Sequence, residues 1–479
     1  MAQVLPPPSH CDFEVDTIII GAGACGLIAA LAAKEQGQSV VVLEQDIVPA
    51  GSTALSAGLI PAAGTQVQVA AGITDTHEAH AEDIIKKASG EPDEDMVRTI
   101  TQTAPEIIDW LINRYDMPFL PVTNFDYPGH SCRRMHGLPK RSGQELIDRL
   151  RTACEANGID IVCQRYVEAL LGAADGPIYG VRTNVPDGSH EIIGCRKLII
   201  ASNGFGGNKQ KLATHIPKVK DALYFGHEGN RGDALEWAEA LSLKTADLGA
   251  YQGHGNVAHP HGILISWAVI TEGGFQVNTM GHRFWNETLG YSEAAQAILK
   301  QPQGQAFTIF DSRIADIARQ FADFQLAEQA GAIKTAATVL ELADLLDVPV
   351  EALQEEFEVV SSQIPDQFLR TFDPNKILKP PYHFVKVTGA LFHTQGGIVV
   401  DSTARAMRAD GTPHPNIFVG GGAARGISGS GDSGYLSGNG LLTAVTLGYL
   451  AGKAELSPKA NTRTKAENFT PLPLNNSSN

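Results

Sequence analysis

The stretch Thr17-Ile-Ile-Ile-Gly21-Ala-Gly23-Ala-Cys-Gly26 decides the fold. A run of β-branched residues suits a buried strand, and three glycines follow it without a gap. Gly21 permits a tight turn, Gly23 lets the backbone approach a pyrophosphate, and Gly26 lets the next helix pack close to the strand. That helix, running to about Gln36, aims its N-terminal N–H groups at phosphate oxygens, and Ala24 sits in its first turn. Residues 39–43 make the second strand of a βαβ unit. Glu44 closes it, 23 residues after Gly21, where a carboxylate can hold ribose hydroxyls. The unit predicts an α/β, Rossmann-like dinucleotide-binding domain.

Outside this unit, composition narrows the choice. The chain has 479 residues, 43% of them hydrophobic, which is enough for a large core and more than one domain. A net charge of −16 argues against nucleic acid as a partner, because a phosphate backbone needs a basic face. The six cysteines form no CxxC pair and read as scattered reduced thiols, with no metal expected. The most apolar stretch, 17–33, is interrupted by glycine and preceded by Glu14 and Asp16, so it reads as neither membrane span nor signal peptide. Cytoplasmic residence is the expectation.

Along the chain, residues 1–14 are Pro-rich and read as a loose leader, 74–117 as amphipathic helix, and 142–157 as a further helix. Strand-like segments occupy 160–163, 169–171, 179–183 and 197–201. From about 250 the composition changes to aromatic and His-rich loops, then to Ala/Leu/Glu-rich helices between 313 and 363. The expected organisation is a discontinuous dinucleotide-binding domain (1–250 and 376–455), an α+β capping domain (251–375) interrupting it, and a flexible tail (456–479). Nine of the 49 glycines fall between Gly420 and Gly440, in a second strand–loop–helix passage ending in the helix 440–452. A helix N-terminus there could stabilise negative charge on a reduced flavin ring.

These passages together resemble the flavoprotein family of fumarate reductases, succinate dehydrogenases and 3-ketosteroid dehydrogenases. The resemblance covers residues 15–453 and rests on several motifs in the family's order. They are Gly21-Ala-Gly-Ala-Cys-Gly26 with Glu44, Ala201-Ser202-Asn-Gly204-Phe-Gly-Gly-Asn208, Gly232-Asp233, Gly281-His-Arg-Phe-Trp-Asn-Glu287, His393-Thr-Gln-Gly-Gly397, and Gly434-Tyr435-Leu-Ser-Gly438-Asn439-Gly440-Leu441. It implies FAD as cofactor and a cap closing over a small carbonyl substrate, with an electron acceptor the sequence does not identify. The cofactor wall is expected to include Gln45 and the small-residue loop Gly51, Ser52, Thr53, Ser56 and Gly58. Val167, Ala201, Ser202, Gly204, Asp233, Gly421, Gly422, Gly438, Asn439 and Leu441 complete it. Succinate dehydrogenases attach flavin through a His in the loop after the first βαβ unit. Residues 49–58 contain none, so non-covalent FAD is expected.

Such enzymes move a hydride between flavin and the β-carbon of a carbonyl compound while a protein group handles the α-proton. Where fumarate reductases place a carboxylate-gripping Arg, this chain has Tyr435, as the ketosteroid dehydrogenases do. Tyr435 is therefore expected to hydrogen-bond a ketone oxygen, with Gly440 lending a backbone N–H. After Glu287 the fumarate-reductase Arg is missing. Arg313 lies near the family's catalytic Arg, although the ungapped match falls on Ala315. Tyr291 or Tyr127 could accept the α-proton, on condition that burial or a cationic neighbour lowers its pKa. His254 and His393 match substrate-contacting histidines of the family. The loop containing Arg133, Arg134 and His136 could clamp a carboxylate. The expected activity is desaturation of a ketone, cyclic in the sense of a ketosteroid or oxocyclohexane; the alternative is reduction of an α,β-unsaturated acid.

Overall fold

The computed structural model describes residues 3–124, 126–362, 365–431 and 433–456. The expected tail, 456–479, lies outside the described residues beyond Leu456's neighbour Glu455 and Leu456 itself. Two sheets organise the molecule, each with its own apolar core.

The first sheet has nine strands and a parallel centre. Phe13–Ile20 lies between Val40–Leu43 and His190–Ile200, in registers Thr17↔Val40 and Lys197↔Thr17. Asp160–Val162 extends it on one side. His190–Ile200 forks: its first half pairs antiparallel with Ile178–Asn184, and its last three residues pair parallel with Ile417–Val419. Helices cover the faces of such a sheet, so its strands are continuously apolar rather than alternating, as Ile18-Ile19-Ile20 and Val40-Val41-Val42 are. The helix Ala24–Glu35 is buried almost all round and packs against Asn439–Lys453. Small residues permit that approach: a Cβ at Gly448 would stand 2.4 Å from the Cys25 carbonyl oxygen. The expected loose leader is instead anchored. Gln3–Leu5 adds a parallel edge strand against Ala169–Leu171, and three prolines, which cannot donate to a ladder, end it.

The second sheet has seven strands around Tyr382–Thr394, a 13-residue strand. Tyr251–Ala258 and Gln305–Asp311 flank it antiparallel, and Leu223–Tyr224 and Ile333–Ala336 also pair with it. The capping sheet thus extends past the boundary expected at 375 and takes in two residues before 250. The four helices between 312 and 361 pack around this sheet. Tyr435 belongs to the glycine-rich run of the first domain yet packs in the core of the second, which places it at the junction.

Candidate active site

A cavity runs from the turn at Gly21 along the ends of the parallel strands to the cap. Ligands of open α/β sheets bind at this end, beyond the carboxyl termini of the strands.

At one end the wall suits a dinucleotide. Gly21 has φ +103°, and a Cβ there would stand 2.6 Å from the Ala201 carbonyl oxygen, so only glycine makes this turn. At Gly26 a Cβ would lie 1.9 Å from the Gly21 carbonyl oxygen, which is the close helix–strand packing the spacing predicts. Gly23 meets nothing nearer than Thr53 Oγ1 at 3.6 Å and leaves its face open to the cavity. The buried Glu44 carboxylate accepts the N–H of Ala22 at 2.9 Å and of Asp46 at 3.1 Å while lining the cavity. Burial raises its pKa, and these two N–H groups oppose that. Thr53 Oγ1 accepts the Ala24 N–H at 3.2 Å, and Ser52 Oγ accepts from Asn230 Nδ2 at 2.9 Å. The Ser202 hydroxyl is buried with no hydrogen-bond partner among the described residues and lines the same wall. An orphaned hydroxyl beside glycines that expose their backbone is what a bound FAD would satisfy.

Of the expected cofactor residues, Ala24, Gln45, Gly51, Ser56, Gly58, Val167, Ala201, Asp233, Gly421, Gly422, Gly438 and Leu441 also line this cavity. Gly26, Gly204 and Asn439 stand behind it. A Cβ at Gly204 would meet Thr394 Oγ1 at 2.0 Å, and Asn439 Nδ2 bonds the Ser428 hydroxyl at 3.2 Å.

At the other end the cap supplies aromatic and polar groups. Tyr435, Tyr291, Tyr127, His254, His393 and Gly440 all line the cavity there, with Trp267, Leu264 and Phe392. The Tyr435 hydroxyl oxygen accepts the Gly440 N–H at 3.2 Å and a hydrogen bond from the Tyr291 hydroxyl. Its lone pairs are thus engaged, and its own O–H is the group left to donate. Gly440 therefore supports Tyr435 here rather than presenting its N–H directly to a ligand. His254 stacks on Tyr291 with ring centroids 4.8 Å apart, and its Nδ1 accepts the Asn256 N–H at 3.1 Å, which puts the proton on Nε2. Burial lowers the pKa of His254 to about 3 and of His393 to about 4, so both are neutral at pH 7.

Three expectations require correction. Tyr291 and Tyr127 do not meet the condition for a base: burial raises both pKa values, Tyr435 raises Tyr291 further, and Arg141 offsets the rise at Tyr127 only in part. Arg134 is fully buried and bonds Asp75 at 2.9 Å and Asp83; Arg133 pairs with Asp126 at 2.7 Å; His136 bonds Thr65 Oγ1 at 2.7 Å and the Arg134 carbonyl. None of the three lines the cavity, because nearby acids and backbone already use their donors. Arg313 likewise turns to Glu272 at 3.2 Å. Among the described residues, Arg165 is then the one Lys or Arg on the cavity wall. It lies at the ribose end, its backbone N–H bonding the Glu44 carbonyl at 2.8 Å and its side chain paired with Glu191.

The sequence reading missed Asp323 and Phe321, which reach the cavity from the start of the helix Ala322–Gln329. No motif marks them; they sit in a stretch that reads only as ordinary amphipathic helix. Phe392 had a signal, since it directly precedes His393. Among the described residues, no three or more His, Cys, Asp or Glu side chains are grouped to hold a metal, and no helix is long and apolar enough to cross a membrane.

Residues 16–441 match the FAD binding domain family. The chain is 29% identical over 444 residues to a probable fumarate reductase of Shewanella frigidimarina, spanning 91% of this chain and 74% of that one. It is 24% identical to the 4-oxocyclohexanecarboxylate 2-dehydrogenase of Sinomonas cyclohexanicum, over 91% of this chain and 92% of the relative. Among solved structures, the open conformation of a flavocytochrome c3 fumarate reductase superposes with a TM-score of 0.78 at 27% identity, covering 93% of this chain and 78% of that one. A 3-ketosteroid Δ4-(5α)-dehydrogenase of Rhodococcus jostii RHA1 shares the fold, with a TM-score of 0.72 at 22% identity over 94% and 99% of the two chains.

Proposed function

The chain belongs to the FAD binding domain family and is an FAD-dependent oxidoreductase, and from that premise we propose that it desaturates the α,β C–C bond of a cyclic ketone. One observation carries this reading: the Tyr435 hydroxyl, backed by the Gly440 N–H and by Tyr291, faces a part of the cavity that no Lys or Arg lines among the described residues. A neutral donor suits a ketone oxygen. A dicarboxylate would enter without a cation to replace its hydration, which is costly.

Tyr435 donates to the ketone oxygen and stabilises the negative charge that gathers there as the α-proton leaves. Tyr291 donates to Tyr435 and makes it a stronger donor in turn. His254 and His393, both neutral, orient the substrate without adding charge. Gly21, Gly23, Glu44, Ser52 and Ser202 would hold FAD non-covalently, and the bound flavin supplies the acceptor for the β-hydride. The name of the Sinomonas relative, 4-oxocyclohexanecarboxylate 2-dehydrogenase, supports a cyclic ketone as substrate class, one that in that relative also carries a carboxylate.

A second reading rests on the similarity to a probable fumarate reductase: reduction of an α,β-unsaturated carboxylic acid. It lacks a cation at the substrate end, with Arg134 and Arg313 both committed to acids. Stopped-flow mixing of the oxidised enzyme with cyclohexanone, 4-oxocyclohexanecarboxylate and a 3-ketosteroid decides between them. Flavin bleaching by any of these ketones is the expected result. Bleaching by none, with reoxidation of the reduced enzyme by fumarate or another unsaturated acid, would overturn the ketone reading.

A further inference from the structure

Removing a proton from the α-carbon of a ketone needs a base, and the cavity's phenols are poor ones. Tyr127, Tyr291 and Tyr435 are all held protonated by burial, and the imidazole of His254 hands its free Nε2–H, not a lone pair, to the cavity. His393 has its Nδ1 against the Thr394 carbonyl and the Gln395 amide and its Nε2 packed on Gly440, and among the described residues one carboxylate lies on the cap side of the same cavity. Asp323, in the first turn of Ala322–Gln329, lines it beside Phe321 and opposite Leu264. Its carboxylate has no hydrogen bond and no ion pair among the described residues, whereas Asp126, beside the cavity-lining Tyr127 in sequence, and Glu272 are paired with arginine.

Resting on the ketone reading above, we propose that Asp323 is the base that takes the α-proton of the substrate. The α C–H bond breaks and its proton forms an O–H bond on the carboxylate. The released electron pair forms the enolate C=C, and the negative charge moves to the oxygen that Tyr435 holds. A carboxylate base facing a phenolic oxyanion site divides the work without requiring any ionised tyrosine. Burial raises the carboxyl's pKa to about 6, which makes it a better proton acceptor than an ordinary surface Asp while leaving it mostly ionised at neutral pH. The cap thereby contributes the base, and the glycine-rich run of the first domain contributes the oxyanion donor.

The step can be observed apart from oxidation. In D2O, with the holoenzyme reduced by dithionite so that no hydride can leave, α-hydrogen exchange into cyclohexanone or 4-oxocyclohexanecarboxylate is followed by mass spectrometry. The wild type is expected to catalyse exchange, and Asp323→Asn to slow it by about 10²-fold or more. Asp323→Ala should slow it equally and regain part of the rate with added formate, a rescue that a merely structural role would not show. Flavin content and melting temperature, measured on each variant, separate loss of the base from loss of the fold. Exchange in Asp323→Asn within a few-fold of wild type, or absence of formate rescue in a folded Asp323→Ala, would overturn the assignment while leaving the ketone reading intact. Absence of both exchange and bleaching in the wild type with every ketone tested would remove the ketone reading and the base with it.

Discussion

Replacing Tyr435 by Phe isolates a single oxygen. The ring stays, and with it the packing of Tyr435 in the capping core and its edge contact with His393 at a centroid distance of 5.7 Å. What disappears is the donor to the ketone oxygen, together with the acceptor for the Gly440 N–H at 3.2 Å and for the Tyr291 hydroxyl. Loss of one donor to a developing oxyanion costs about 10²–10³ in rate, or about 3–4 kcal/mol. The Gly440 N–H, half-buried beside the cavity, can turn to water, so the cost to folding should stay near about 1 kcal/mol. Stopped-flow bleaching with a saturating ketone gives the rate of flavin reduction directly, and thermal melting gives the folding cost. We expect the reduction rate to fall at least about 10²-fold, with flavin content unchanged and little shift in melting temperature. A bleaching rate within twofold of wild type at equal flavin content would refute the assignment of Tyr435 as the carbonyl donor. Tyr291→Phe should fall in between, because Tyr291 acts on the ketone only through Tyr435.

Arg134→Ala should destabilise the fold by about 3–5 kcal/mol, since it strands Asp75 and Asp83 beside a buried site, yet leave the preference among ketones unchanged; a changed preference in denaturant-stable protein would return Arg134 to the substrate site. Stability should also fall with acidification in a defined window. His130, His136, His393 and His414 each have a folded pKa of about 4 against an ordinary 6.5, so between those values the unfolded chain binds the extra proton and stability drops as pH falls through the window. Each costs about 2 kcal/mol by pH 5, and urea midpoints equal at pH 7.5 and pH 5 would contradict this.

The cofactor half of the site was legible because its chemistry is local. Turn, helix N-terminus and acid lie within one βαβ unit, and each residue's role follows from backbone geometry, as the 2.6 Å clearance at Gly21 demonstrates. The substrate half joins Tyr127, His254, Tyr291, Asp323 and Tyr435 from distant segments, and residue type alone does not say which of them reach the void. Arg134 shows the difficulty. Its charge suggested a carboxylate clamp, but the acid that claims it stands 59 residues away in the chain. Sheet membership was hidden in the same way: the sequence marks Tyr382–Thr394 as a strand, and only its partners Tyr251–Ala258 and Gln305–Asp311 assign it to the second sheet.

The same burial that hid these roles also constrains the reaction. Enclosure raises the pKa of Tyr127, Tyr291 and Tyr435 and lowers that of His254 and His393, so these groups are neutral at pH 7, while the Asp323 carboxyl, raised only to about 6, stays mostly ionised. A site so arranged pays heavily to admit a dianion but little to admit a neutral ketone. On the proposed ketone reading, negative charge passes during the reaction from the Asp323 carboxylate to the ketone oxygen, where Tyr435 is already positioned and supported from behind by Gly440 and Tyr291. Donors fixed before the charge appears need no reorganisation when it does, and that favours the transition state over the ground state. On that reading, Tyr435 fits the cavity to a charge that the reaction creates rather than to one that the substrate carries in.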